Sequence, residues 1–341
     1  MIKAGVVGLG RMGVSHLAVL NAHPDVKVVA VCDTSKFILT VMEKYGGYKC
    51  FTDFETMMKV SFLDCIVVAT PTKYHQSEVR FALENKIHVF CEKPFCLDPQ
   101  ESFALADLAE SQGLINQTGY HCRFVGVFQK VKELLNAQLL GEINHFLMEV
   151  YGNVVKKPEG LTWRSKESEG GGCLYDYASH GIDLVNYLIG KTVSVKGSVL
   201  KKIYSRAIED AAYTTIDCEN GINGVLTVDW CDASFRKMFN QITITGMNGK
   251  MIADRQEVKI FLRKESPENN LRKGWNILYT TDLIQPVGYY LRGEEYSAQI
   301  DYFVKSILTT RKESISSFRS AAQTDDLIQK IKRNHEEYIN A

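Results

Sequence analysis

Apolar positions fall along this chain in two patterns: short β-branched runs alternating with helical segments up to about residue 119, then strands in succession. Ile2–Val7 is a short apolar run bounded by glycine, the pattern of a parallel strand buried on both faces. A helical pattern over residues 11–21 and a second apolar run over 28–32 follow. Residues 35–45 predict a helix stopped by Gly46 and Gly47, then a short strand near 50–52 and a helix capped by Asp53. The strand predicted at 64–70 ends at Thr70 and Pro71, where proline stops pairing and begins a turn. A helix near 74–84, a strand at 87–91, a helix near 99–112 and a strand at 115–119 complete six strands. This alternation predicts a doubly wound parallel sheet with ligands along the carboxyl ends of its strands.

Beyond Gly119 a helix is predicted over 125–138, a long alternating strand over 142–154, and a polar loop carrying Trp163 and Arg164. Gly170, Gly171 and Gly172 precede a helix over 174–188 that Gly190 closes. Repeated strands fill 193–262, with turns at Asn220-Gly221 and Asn248-Gly249, and helices are expected near 293–308 and 320–335. Residues 264–287 hold two prolines and mixed polarity, and read as a long loop over or beside the site. Strands grouped without intervening helices predict an α+β domain with an open, mainly antiparallel sheet, helices on one face. The expected boundary lies near Tyr120, with domains at residues 1–120 and 121–341.

The turn after the first strand adds chemistry. Gly8 permits a tight turn, Gly10 lets backbone approach a pyrophosphate, and Gly13 lets the next helix pack on the strand. The first-turn amides of that helix, at Arg11, Met12 and Gly13, then face phosphates, where the positive end of the helix dipole favours anions. Asp33 lies twenty residues beyond Gly13, at the end of the second strand, placed to accept hydrogen bonds from the two hydroxyls of an adenosine ribose. A carboxylate there favours NAD and repels a 2′-phosphate, while Thr34, Ser35 and Lys36 keep NADP as a second option.

Composition narrows the class. A length of 341 residues suits two domains, and 40 basic against 40 acidic residues leave no footprint for nucleic acid or an anionic membrane. No apolar run approaches the roughly 20 residues that span a bilayer. The nine cysteines are dispersed without a CxxC pair at metal-site spacing, which fits a reducing cytoplasm. The chain opens directly on a core strand, so no signal peptide is expected.

Lys93, at a strand's carboxyl end after Glu92 and before Pro94, is positioned to hold a substrate hydroxyl and stabilise the alkoxide formed as hydride leaves; the plainer alternative is a surface lysine paired with Glu92. Asp176, His180 and Asp183 stand four and three residues apart, on one helix face. A histidine beside a carboxylate is a workable general base; a metal site lacks a spaced fourth ligand, and a capped helix with a core histidine is the structural alternative. His75 either borders the cofactor or packs in its helix. Tyr120, His121, Arg123, Trp163 and Arg164 are expected on segments that reach the substrate, or on an interface.

The opening glycines with Asp33, Thr70-Pro71 with His75, Glu92-Lys93-Pro94, and the triple glycine leading to Asp176, His180 and Asp183 together resemble the Gfo/Idh/MocA oxidoreductases, the group of glucose-fructose oxidoreductase and inositol dehydrogenase. The resemblance runs through nearly the whole chain. It implies an N-terminal Rossmann domain, then a substrate-binding domain whose open sheet joins homodimers or homotetramers. It implies that Lys93, Asp176 and His180 are the catalytic set, that Thr70, Pro71, His75, Glu92 and Lys93 border the cofactor, and that the substrate is a sugar, nucleotide sugar or inositol. Tightly held NAD recycled within one turnover is the alternative the resemblance leaves open, followed by a cofactor-binding sensor without turnover.

Overall fold

The computed structural model describes residues 1–154, 163–283, 289, 293–311 and 313–340. The chain divides into two compact units, Met1–His121 with Pro286–Ala322, and Cys122–Gln285 with Gln323–Ala341.

In the first unit, β1 (Ile2–Val7), α1 (Arg11–Ala22), β2 (Val26–Cys32), α2 (Lys36–Gly46), β3 (Lys49–Phe51), α3 (Phe54–Val60), β4 (Cys65–Val68), α4 (Thr72–Glu84), β5 (His88–Cys91), α5 (Pro99–Ser111) and β6 (Asn116–Thr118) follow in turn. The sheet order is β3-β2-β1-β4-β5-β6 and every pairing is parallel, the doubly wound arrangement read from the sequence. Alternate side chains of one strand serve opposite cores. Ala4, Val6, Cys65 and Val67 pack with Leu17, Leu20, Phe303 and Val304 on one face, and Val7, Ile66, Val68 and Val89 with Val79, Ala82 and Leu105 on the other. Burial on both faces is why these strands read as continuous apolar runs.

The later segment of this unit covers β6. The Thr118 amide donates to the Ser316 carbonyl at 2.8 Å, the Ser316 hydroxyl returns a bond to the Thr118 carbonyl at 2.8 Å, and the Phe318 amide donates to Asn116 Oδ1 at 2.8 Å. Phe318 stacks on Phe95 with ring centroids 4.2 Å apart. An edge strand is thereby closed against other pairing.

The second unit contains α6 (Gly126–Asn136), β7 (Ile143–Tyr151), α7 (Ser179–Leu188), β8 (Thr192–Lys201), β9 (Ala211–Cys218), β10 (Asn223–Asp229), β11 (Phe239–Gly246), β12 (Gly249–Ala253), β13 (Glu257–Leu262), β14 (Gly274–Tyr279) and α8 (Thr280–Leu283). Its sheet runs β14-β13-β12-β11-β7-β10-β9-β8, antiparallel throughout except where β7 meets β10. Helix α7 lies close on the sheet at Gly181, where a Cβ would come 2.7 Å from Val150 Cγ2. Two further helices are α9 (Glu294–Leu308), in the first unit, and α10 (Phe318–Asn340), within which the division between units falls. Asn334 Oδ1 accepts the Ser198 amide at 2.9 Å, within an irregularity of the β8–β9 ladder.

Two expectations need correction. Residues 264–287 are not one long loop: 274–279 form the edge strand β14 and 280–283 a helical turn, while 284–287 lie outside the described residues. On β14 the large residues Trp275, Ile277 and Tyr279 are exposed while Asn276 points to the more covered side, an inverted alternation that reads as mixed polarity. The helix expected over 174–188 opens with a π turn, Leu174–Ala178, before α7 begins at Ser179.

One half-buried acid gives the first unit a pH-dependent contribution to stability. Glu78 on α4 accepts the Thr70 hydroxyl at 2.5 Å, and burial pushes its carboxyl up to about 7, with the Thr70 bond a partial offset. Because the folded value lies above the unfolded one, the stability from protonated Glu78 is complete below the ordinary carboxylate range and is lost as pH rises through about 7. Glu78→Gln should therefore match the wild type in thermal unfolding at pH 5 and exceed it at pH 8.5, by of order 2 kcal/mol. Equal midpoints at both pH values would contradict this.

Candidate active site

The β1–α1 turn is built by backbone contact. Gly8 has φ +83°, and a Cβ there would lie 2.7 Å from the Ala69 carbonyl. At Gly13 a Cβ would come 1.7 Å from the Gly8 oxygen, so the helix meets the strand end directly. Gly10 differs, since a Cβ there would meet no protein atom within 4 Å. It is the N-cap of α1 without a side-chain cap, and the first turn holds no acidic residue. A helix N-terminus with open space at Gly10 and no acidic residue in its first turn is what a pyrophosphate requires. Asp33 Oδ2 accepts the Leu9 amide at 2.6 Å and Oδ1 accepts Ser35 N at 2.7 Å, so the carboxylate at the end of β2 also ties down the glycine turn. These residues fit an NAD dinucleotide.

The remaining first-unit candidates gather at the carboxyl ends of β4 and β5. Thr70 and Pro71 lead into α4, and Glu92, Lys93 and Pro94 follow β5, with the Lys93-Pro94 bond cis. Glu92 does not lie at the surface with Lys93: its Oε1 is 2.5 Å from His16 Nε2, and its Oε2 accepts the Lys93 amide at 3.2 Å. Burial alone would raise Glu92, but the His16 bond and the charges of His16 and Lys93 hold it below the usual carboxylate range. His75 is turned inward, with Nε2 2.8 Å from the Thr70 carbonyl and Nδ1 3.1 Å from those of Pro94 and Phe95. Tyr120 is fully buried, and the His121 ring stacks on Tyr296 at 4.9 Å.

In the second unit the acidic residues of the 174–188 segment are each matched to an arginine. Arg164 Nε donates to Asp176 Oδ2 at 2.8 Å, and the same guanidinium sits 4.6 Å from the Trp163 ring centre. Arg123 grips Asp183 through Nε and Nη2, at 2.9 and 2.7 Å, in full burial. Burial pushes Asp183 above its ordinary value, with Arg123 a partial offset. His180 is buried in the first turn of α7, between these two ion pairs along the chain. The π turn ahead of it widens the helix where Asp176 sits, a distortion frequent at functional sites.

Two participants carry little sequence signal. His16 falls on the apolar side of α1, where a histidine ordinarily reads as core, and only its place three residues after Gly13 hints at more. Glu209, in a loop before β9, accepts the Leu174 amide at 3.0 Å through Oε1 while its carbonyl accepts the Cys173 amide. It also fills the space at Gly172, where φ is +105° and a Cβ would strike its carboxylate.

Comparison with known proteins gives the family and the fold. Residues 2–120 match the family described as an oxidoreductase family with an NAD-binding Rossmann fold, and residues 128–252 match the GFO/IDH/MocA C-terminal domain. The 2,7-anhydro-N-acetylneuraminate hydratase of Escherichia coli is 28% identical over 77% of this chain and 70% of its own length. The D-glucoside 3-dehydrogenase of the same organism is 26% identical over 79% and 80%, and the myo-inositol 2-dehydrogenase of Thermotoga maritima 27% over 80% and 81%. Among solved structures, levoglucosan dehydrogenase in complex with NADH superposes with a TM-score of 0.87 at 20% identity, over 98% of this chain and 97% of that one, which shows a shared fold. With both halves matched in order and a glycine turn that fits the dinucleotide, the chain belongs to the Gfo/Idh/MocA family and is an NAD-dependent oxidoreductase.

Proposed function

We propose that this enzyme moves hydride between NAD and a carbinol or keto carbon of a sugar, nucleotide sugar or inositol. The observation that carries the reading is the place of Lys93: it follows β5 on the carboxyl edge of the sheet whose β1 ends in the glycine turn, two strands away. Relatives named as glucoside and inositol dehydrogenases support the substrate class.

Bound NAD supplies a hydride acceptor at nicotinamide C4, or a donor when reduced. In oxidation, Lys93 holds the substrate oxygen and its ammonium stabilises the developing alkoxide. His180 takes the hydroxyl proton while the carbinol C–H bond breaks and the carbonyl forms, and reduction reverses both steps. Asp176, fixed by Arg164 and one turn before His180, orients the histidine. Trp163 and Arg164 present a ring face and a guanidinium suited to a polyhydroxylated ligand. Asp33 favours NAD over NADP.

The open face of the second-unit sheet suits a second copy of the chain, as a homodimer or homotetramer. Phe261 faces Trp275, Lys259 faces Ile277 and Glu257 faces Tyr279 across β13–β14, which puts three exposed large rings and a lysine–glutamate pair on one surface. Among the described residues no helix is long and apolar enough to cross a membrane, and the nine free cysteines suit the cytoplasm.

Three outcomes follow from these assignments. Gly10→Ala should unfold within about 2 °C of the wild type yet lose at least ~10-fold in NAD affinity by fluorescence titration, whereas Gly13→Ala should lose stability as well. Lys93→Ala and His180→Ala should keep NAD affinity and lose about 100-fold or more in turnover, read at the nicotinamide absorbance with the best substrate from a panel of inositols, sugars and nucleotide sugars. Full activity in either variant would exclude its assigned role. Trp275→Glu with Ile277→Glu should lower the oligomeric state in light scattering, and an unchanged mass would remove this face as the interface.

A further inference from the structure

The turn that carries Lys93 is held from two sides by buried histidines, each 1% exposed. His16 reaches it from α1. Because Glu92 is held in its ionised form, the 2.5 Å contact makes His16 Nε2 the donor, and the second Glu92 oxygen accepts the Lys93 amide. One carboxylate therefore joins the helix behind the glycine turn to the backbone of Lys93. Space for it is reserved: a Cβ at Gly119 would lie 3.0 Å from Glu92 Oε1 and 3.1 Å from its Cδ. The His16 ring packs edge-on against Phe90, with centroids 5.0 Å apart.

His75 reaches the same turn from α4. Its three partners, the carbonyls of Pro94 and Phe95 at Nδ1 and of Thr70 at Nε2, are all acceptors. Burial pushes His75 below its ordinary value, with the carbonyl bonds and the Glu92 charge as partial offsets, so the ring is neutral and its one N–H serves one side. The charge that acts on it is that of Glu92. Core filling alone does not require a histidine at either position. A leucine would occupy similar volume but leave a buried Glu92 oxygen and a set of buried carbonyls without donors.

We propose that His16 and His75 are positioning residues for Lys93: through Glu92 on one side and the Pro94 and Phe95 carbonyls on the other, they fix the 92–95 backbone and so the place of the ammonium. The inference rests on the reading of Lys93 as the substrate-oxygen ligand. Losing either brace lets the turn shift, and displacements of about 1 Å at a reacting centre cost up to about 100-fold in rate. The effect falls on turnover, since the glycine turn and Asp33 are built without the His75 brace.

The test compares His16→Leu and His75→Leu with His16→Gln and His75→Gln, which keep an N–H donor. Hydrogen exchange followed by mass spectrometry should show the 92–96 segment exchanging at least ~10-fold faster in the leucine variants, with β1 and β2 unchanged. At saturating NAD, kcat should fall about 10- to 100-fold, with NAD affinity within about threefold of wild type in His75→Leu, and the glutamine variants should recover most of the loss. Unchanged exchange and kcat in the leucine variants, a loss confined to melting temperature or NAD affinity, or glutamine variants no better than leucine would each overturn the proposal. Should the leucine variants fail to fold, the comparison of the glutamine variants with His16→Asn and His75→Asn, whose amides reach less far, decides on the same readouts. Lys93→Ala is measured alongside: if it keeps full activity, the underlying reading of Lys93 fails, whereas an inactive Lys93→Ala with wild-type brace variants sinks the bracing alone.

Discussion

The structure depends on one backbone-to-backbone contact. The α-carbon of Gly13 sits against the carbonyl of Gly8, closer than any side chain would permit, and this sets where α1 begins and which way its first-turn amides point. Asp33 secures the same turn from β2 through the Leu9 amide, and Glu92 secures the body of the helix from β5 through His16. A carboxylate beyond the turn on either side thus anchors the element that meets the cofactor. The first amides of α1, Asp33 and Lys93 are spaced by strand pitch, since all stand on the carboxyl edge of one parallel sheet.

How much of this the sequence disclosed follows from the range of the interactions. The six parallel strands were legible because burial on both faces writes continuous apolar runs, and the glycine turn because it needs φ and volume that only glycine supplies. Asp176, His180 and Asp183 were legible as a helical spacing, but their partners were not: Arg164 lies twelve residues from Asp176 and Arg123 sixty from Asp183, separations that no periodicity encodes. His16 and Glu92, 76 residues apart, show the same limit, and so does Glu209 as the acceptor for the Leu174 amide. The strand β14 was hidden for another reason, since its large residues face outward and the usual sign of alternation is reversed.

A common theme in the second unit is that its buried acids are assigned before any ligand arrives. Asp183 is neutralised by Arg123, Asp176 by Arg164, and Glu209 accepts a first-turn amide. Burial pushes Asp183 and Glu209 upward, so each partner limits the cost of a charge far from water. His180 stands on the same helical segment as Asp176 and Asp183, whose charges are already paired.

The covering of β6 by residues 316–318 bears on how the protein is made. The Rossmann sheet has all six strands once the ribosome has passed Thr118, yet the bonds that close its edge at Asn116 and Thr118, and the ring stacked on Phe95, arrive only with Ser316 and Phe318. Phe303 and Val304, in the core on the other face, also arrive late. Domains emerging from the ribosome ordinarily fold in order, the N-terminal one first. Here the β6 edge and part of the core are completed by residues some 200 positions later in the chain, so a nascent first unit has an open sheet edge until they are made.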